Sequence, residues 1–441
     1  MNDPVSTMEE QDWRRASDAP CPAANTRRAG PASAALACRR AGGGGILRAM
    51  PSDAATEAPA AASPAAVPGL PRVAVVGTSN SVAAGGWARV VQGAGDRLTV
   101  RNFSLGFCSS DLFAFRRAAM DPAEFDLCLV DFACNDGTLL ASGAHDAARI
   151  EATLRHIVSE TTTAGCLPVL MILPVQSFRP DGRRIAPLYR AAAERFALPF
   201  FDGYAWLDRL EAGPGLAGLP LFKDNMHLDN PVSVQLGRQV AGLLPELAAA
   251  RLGAGKAGAA PGFVQRFFPA GPAIRRALPR RERGTALLRL ELVEIAAETG
   301  FDFALPAGFE ATGLVADFAQ SRAVVTLSGS RSTRLHVASK HATGPEAKMV
   351  AGIWPLPEVV PELGGTLRIT VGRGSRWDVT TDHAVKPLAA GETPRLALAG
   401  LVARRREPAL PLRRLLPGAR DLVAEIGEAQ MQAARAALRP K

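Results

Sequence analysis

Four short polar clusters carry side chains able to do acyl chemistry. Gly77-Thr78-Ser79-Asn80-Ser81 offers two hydroxyls on a small-residue turn. A serine there acts as a nucleophile when a base and an oxyanion site converge on it. Asp224-Asn225-Met226-His227 sets a carboxylate three residues before an imidazole. At that spacing the carboxylate can bond one ring nitrogen and fix the tautomer, leaving the other nitrogen free to take a proton from a serine. Between them lie Asn102-Phe103-Ser104-Leu105-Gly106, whose glycine lets backbone approach a ligand, and Ala133-Cys134-Asn135-Asp136, whose Asn135 amide can donate to a developing oxyanion. Singly, each cluster also has an ordinary reading, because Ser and Asn cap helices, Asn shapes turns, and loop histidines are commonly just solvated.

The elements around these clusters are legible as runs. Residues 72–77, 98–104, 126–133, 167–174 and 199–204 are short, continuous apolar stretches bounded by turn residues, the pattern of strands covered on both faces. Helices are expected at 109–120, 144–164, 184–197 and 231–250. Strict alternation predicts βαβ units with right-handed crossovers, hence a three-layer α/β/α domain. In such a sheet ligands sit outside the carboxyl ends of the strands, where the polar clusters fall. From about residue 285 the texture changes to short strand-like runs at 287–295, 313–318, 323–327, 334–338, 348–354, 367–371 and 376–380, as in an antiparallel sandwich. A last helix is expected over 421–438, weakened by Gly427.

Taken in order, the four clusters resemble the SGNH/GDSL hydrolase family, whose blocks run Gly-Asp-Ser, Gly, Gly-x-Asn-Asp and Asp-x-x-His. The resemblance covers about residues 72–250 and implies a flavodoxin-like sheet, with Ser79 as nucleophile, His227 as general base and Asp224 as its orienter. It further implies an oxyanion hole made from the Ser79 and Gly106 backbone N–H groups and the Asn135 side chain. Thr78 stands where the family has Asp, and Ala133 where it has Gly. Ser81 is the competing nucleophile, while Ser79 holds the family position directly after Gly-x. A histidine base must be neutral to act, so activity is expected to rise with pH as imidazole loses its proton. No cofactor and no metal are expected.

Length and composition frame this reading. At 441 residues two domains are expected, with 47% hydrophobic and 21% charged residues. The expected organisation is a disordered segment at 1–70, rich in Ala, Pro and Gly, a catalytic domain at 71–250, a linker at 251–282, a mainly-β domain at 283–403 and a C-terminal tail with a helix at 404–441. Met50 is a possible alternative start. No apolar stretch has the length of a membrane helix. The net charge of +9 is mostly scattered Arg and reads as compositional bias, with no nucleic-acid partner expected. Cys21, Cys38, Cys108, Cys128, Cys134 and Cys166 form no CxxC pair and read as free thiols, and with no signal peptide apparent a cytoplasmic location is expected. His145, His156, His336, His341 and His383 have no constellation around them, and Lys223 and Asp229 flank the histidine loop as solvated charges.

The function expected is hydrolysis of a small acyl ester, with acetyl groups on carbohydrate the first class, as the resemblance implies. Transfer of the acyl group to a sugar by the same triad is the near alternative. A non-catalytic glycan-binding protein is the distant one, holding an anionic polymer through Arg280, Arg281, Arg283, Arg404, Arg405 and Arg406, with Trp354 and Trp377 as sugar platforms. The sequence does not set the oligomeric state.

Overall fold

The Val-rich run after Arg72 forms the central strand β1 (Arg72–Gly77), five of its six residues fully covered. The chain continues through α1 (Ser79–Val82), α2 (Trp87–Gln92), β2 (Thr99–Asn102), α3 (Leu112–Arg116), β3 (Leu127–Asp131), α4 (Ala133–Ala141), α5 (Ala147–Thr163), β4 (Leu167–Ile172), α6 (Ile185–Phe196), β5 (Pro199–Asp202), α7 (Gly203–Glu211) and α8 (Asn230–Ala249). All these strands pair in parallel, in the order β2-β1-β3-β4-β5, which is the flavodoxin-like order. Short polar side chains start two of the helices. Asp146 Oδ1 accepts from Arg149 N at 2.7 Å to open α5, and Asp202 Oδ1 accepts from Tyr204 and Ala205 N to open α7. Helices α2 and α8 touch because Gly237 has no side chain, as a Cβ there would stand 2.6 Å from the Trp87 carbonyl.

This computed structural model describes residues 69–439 apart from 107, 180–183, 215, 217, 252–255, 275, 286–287, 297, 339–346 and 381–387. The described residues lie in one compact unit, Glu57–Lys441. The readings made for residues 1–68, including Met50, Cys21 and Cys38, and for His341 and His383 fall outside the described residues.

Beyond α8 the chain forms β6 (Lys256–Pro269), α9 (Ala270–Ala273), β7 (Arg280–Thr285), β8 (Leu288–Ile295), β9 (Thr299–Ala304), β10 (Glu310–Asp317), β11 (Ala323–Ser328), β12 (Ser332–Val337), β13 (Ala351–Pro361), β14 (Thr366–Gly372), β15 (Val379–Thr380) and β16 (Leu396–Arg414). They make two sheets, β13-β10-β16-β8-β7 with β6 also on β16, and β15-β12-β11-β14-β9. Phe301, Phe303, Val325 and Ile369 of the second meet Leu314, Leu398 and Leu401 of the first in one apolar core, which makes the sandwich. The first sheet is covered on its other face too. Leu292, Val315, Ile353, Ala399 and Val402 join the core of the α/β domain.

The expected boundaries are corrected in two places. Residues 251–282, expected as a linker, contain β6, which pairs with β16 from Gly400↔Pro269 to Arg414↔Lys256. Residues 404–441, expected as a tail, begin inside β16 and then return to the parallel sheet. There β17 (Arg420–Asp421) pairs with β5, followed by α10 (Leu422–Glu425) and α11 (Glu428–Leu438). Gly427 does not weaken one helix but divides two, standing at the N-cap of the second. The sandwich is therefore inserted into the α/β domain. The β6/β16 ribbon lies on α5, where Ser159 Oγ donates to Pro411 O at 2.5 Å and Arg413 N donates to Thr162 Oγ1 at 3.1 Å. A bulge between Glu407 and Leu410 takes up Pro408, which has no N–H to give the ladder.

Candidate active site

β1 ends in Gly77, whose missing side chain lets it meet β3 closely. A Cβ there would lie 2.7 Å from Asp131 Cβ and from Ser81 Oγ. The next turn lifts Ser79 to the first position of α1, half-buried at the carboxyl end of the sheet. Across from it, residues 222–228 form a small loop closed by the Phe222↔Leu228 bridge and by Lys223 N donating to His227 O at 3.0 Å. Within that loop Asp224 Oδ1 accepts from Met226 N (2.8 Å), His227 N (2.9 Å) and His227 Nδ1 (2.8 Å). Partial burial acts to raise the Asp224 carboxyl, but these N–H groups and the imidazole together outweigh it and hold it below the usual range. His227 Nε2 lies 2.8 Å from Ser79 Oγ. With Nδ1–H donating to Asp224, Nε2 carries the lone pair that accepts the Ser79 proton.

The other predicted residues take these places. Gly106 lies beside the serine, where a Cβ added to it would be 3.9 Å from Ser79 Cβ. Leu105 N donates to Gly77 O at 3.1 Å, tying that loop to the end of β1. Asn135 is half-buried on the first turn of α4. Its neighbour Asp136 is buried and accepts from Ser110 N (2.9 Å) and Tyr189 Oη (2.7 Å). Ser81, the competing hydroxyl, is fully buried and donates to Asp131 Oδ2 at 2.5 Å. Burial lifts Asp131 to about 7, against hydrogen bonds from Ser81 and from the Thr78 backbone.

Sequence reasoning passed over three residues that hold these parts together. Asn80 Nδ2 donates to Met226 O at 3.1 Å, joining the serine turn to the histidine loop. Asn102 Nδ2 donates to Ser81 O at 2.7 Å, and its Oδ1 accepts from Ser104 N at 2.9 Å. Gln176 N donates to Asn225 O at 3.0 Å, which sets a polar turn beside the same loop. Asn80 and Asn102 sit inside the clusters that drew attention. Gln176 has no such signal.

Most arginines named for the alternative, polymer-binding reading stand in ion pairs. Arg280, Arg281, Arg283, Arg404 and Arg405 each pair with a carboxylate (Glu291, Glu294, Asp317, Glu310 and Glu407), and Arg283 is nearly buried. Trp377 stacks on His336 with ring centroids 4.6 Å apart.

The sheet order and the four loops at its carboxyl ends match what the motifs implied. The resemblance to SGNH/GDSL hydrolases holds at the level of fold. No family model and no curated protein matches the chain. Among solved structures, the chain is similar to a two-domain esterase (CEX) active on acetylated mannans, with 11% identity and a TM-score of 0.49 over 77% of this chain and 92% of that one. A lipolytic G-D-S-L family protein from Veillonella parvula matches at 15% identity and a TM-score of 0.32 over 39% of this chain and 96% of that one. Axe2, an acetylxylan esterase from Geobacillus stearothermophilus, matches at 18% identity and a TM-score of 0.32 over 40% and 93%. At these identities and scores, none of the three bears on what the site does.

Proposed function

We propose that this chain is a serine esterase that removes a small acyl group, acetyl first among them, from a carbohydrate. The observation that carries the reading is the hydrogen-bonded row Asp224, His227, Ser79, with both links at 2.8 Å. His227 Nε2 takes the Ser79 proton as Oγ attacks the ester carbonyl, and the imidazolium is steadied by Asp224. The tetrahedral oxyanion is received by the Ser79 and Gly106 N–H groups and the Asn135 amide. Collapse returns the proton from Nε2 to the leaving sugar oxygen. Water, activated by the same nitrogen, then releases the acid and frees Ser79.

The nature of the alcohol is supported by the rim. Lys223, Asp224, Asn225 and Gln176 are exposed around the half-buried Ser79 and His227, a polar surround suited to a hydroxyl-rich leaving group too large to be enclosed. The acetyl preference comes from the family resemblance.

The test is intact-mass detection of a covalent adduct after treatment with a fluorophosphonate. One adduct is expected on wild type and on Ser81→Ala, and none on Ser79→Ala. Folded wild-type protein that takes no adduct would sink the reading. Acetate release from acetylated mannan or xylan oligosaccharides, the substrate types of two of the neighbours, then tests the carbohydrate half.

A further inference from the structure

We propose that the inserted sandwich is part of the catalytic machinery, and that Cys108 and Arg149 are positioning residues through which its first sheet fixes the Gly106 loop. This rests on the assignment of Ser79 and Gly106 made above. The loop between β2 and α3 is gripped at two points by the insert. At the first, the buried Cys108 thiol donates to Gly106 O at 3.2 Å and lies against the Ile353 backbone of β13. Burial pushes this thiol up to about 12, so it keeps the proton it donates. One sulfur thus stands between the insert and the residue whose N–H is assigned to the oxyanion.

At the second point stands Asp111, fully buried where the loop enters α3. Its carboxylate accepts from Arg149 Nη2 (3.1 Å), from Gln265 Nε2 of β6 (3.3 Å) and from Thr153 Oγ1 (3.4 Å). Burial acts to raise it, and Arg149, His145 and these hydrogen bonds together bring it below the ordinary value. Arg149 in turn donates to Leu356 O on β13 (2.6 Å) and Thr312 O on β10 (2.7 Å). A single guanidinium on α5 therefore holds the loop and two strands of the insert at once. The restraint continues inward, since Ser110 N donates to Asp136, next to Asn135. Two of the three oxyanion donors are thereby tethered to the sandwich. A module that only bound glycan would need none of these contacts.

Removing Arg149 outright would leave Asp111 buried and unpaired, and such variants often fail to fold. Cys108→Ala is the informative change, with Cys108→Ser restoring the donor to Gly106 O. Full-length wild type, both Cys108 variants and Arg149→Lys would be compared for p-nitrophenyl acetate hydrolysis and for the rate of fluorophosphonate labelling, well below their melting temperatures. Cys108→Ala and Arg149→Lys are expected to lose about tenfold in kcat with KM nearly unchanged, less than the 10²–10³ lost with a whole donor. Labelling should slow in parallel, and Cys108→Ser should recover most of the rate. Wild-type kcat and labelling rates in folded Cys108→Ala and Arg149→Lys would overturn the positioning role alone. A wild type that takes no label would remove the Ser79 assignment and this inference together.

Discussion

Asn80 ties the serine turn to the histidine loop, because its amide reaches Met226 O from the position directly after the serine. It is buried, with Cys134 Sγ 3.5 Å from the same nitrogen. Asn80→Leu keeps the volume and removes the donor. It is expected to lower kcat by about tenfold through loosening of the histidine loop, and to destabilise the fold by roughly 1 kcal/mol. Steady-state kinetics beside a thermal melt checks both, and an unchanged kcat would leave Asn80 a packing role only. Asn135→Ala is expected to cost 10²–10³ in kcat, ~3–4 kcal/mol in the transition state, while the melting temperature stays near that of wild type. An equal loss of stability would instead mark Asn135 as structural. That Ser79, Asp224 and His227 come together was expected from the order of their clusters and the family resemblance those clusters carry. The roles of Asn80, Asn102 and Asp131 were not, because each depends on a hydrogen bond to a different element, which no local pattern encodes.

Among elements, the five parallel strands could be read because burial on both faces demands unbroken apolar runs, and those runs are visible. β6 and β16 could not. Lys256-Ala-Gly-Ala-Ala-Pro-Gly reads as linker, and Arg404-Arg-Arg-Glu-Pro reads as a solvated end. Each becomes a strand by pairing with the other, and β16 also gives Pro411 O and Arg413 N to Ser159 and Thr162 of α5. One final helix was expected where the chain makes two, and their destination was not expected. Leu422, Val423, Ile426, Met431 and Leu438 are buried in the core of the α/β domain, each contributing roughly 1.5–3 kcal/mol when fully covered. A chain ending at Arg414 is therefore expected to melt well below the full chain, or not to fold cooperatively. Thermal unfolding followed by circular dichroism decides, and equal melting temperatures would show the last segment to be dispensable.

At the scale of the whole molecule, buried groups shape how stability follows pH with opposing signs, four among them over the range from about 4 to 7. Burial lifts Asp131 to about 7 and Asp136 to about 6, so the fold holds protons that the unfolded chain releases near 4. Their contribution is complete below about 4 and is lost as pH rises toward 7. Burial lowers His145 and His156 to about 4, so here the unfolded chain binds protons that the fold refuses, and stability climbs between about 4 and 6.5. Asp131→Asn should leave a melting temperature that rises more steeply with pH across this window, and His156→Phe one that falls relative to wild type. Profiles parallel to wild type in both would contradict these assignments. The same two-part architecture also sets an order of events in synthesis. β5 is made about 220 residues before β17, its partner on that side, and at ~5–20 residues per second the ribosome needs tens of seconds to deliver it. Throughout that interval the nascent sheet presents Pro199 and Phe200 as an open edge, available to any extended segment that meets it first.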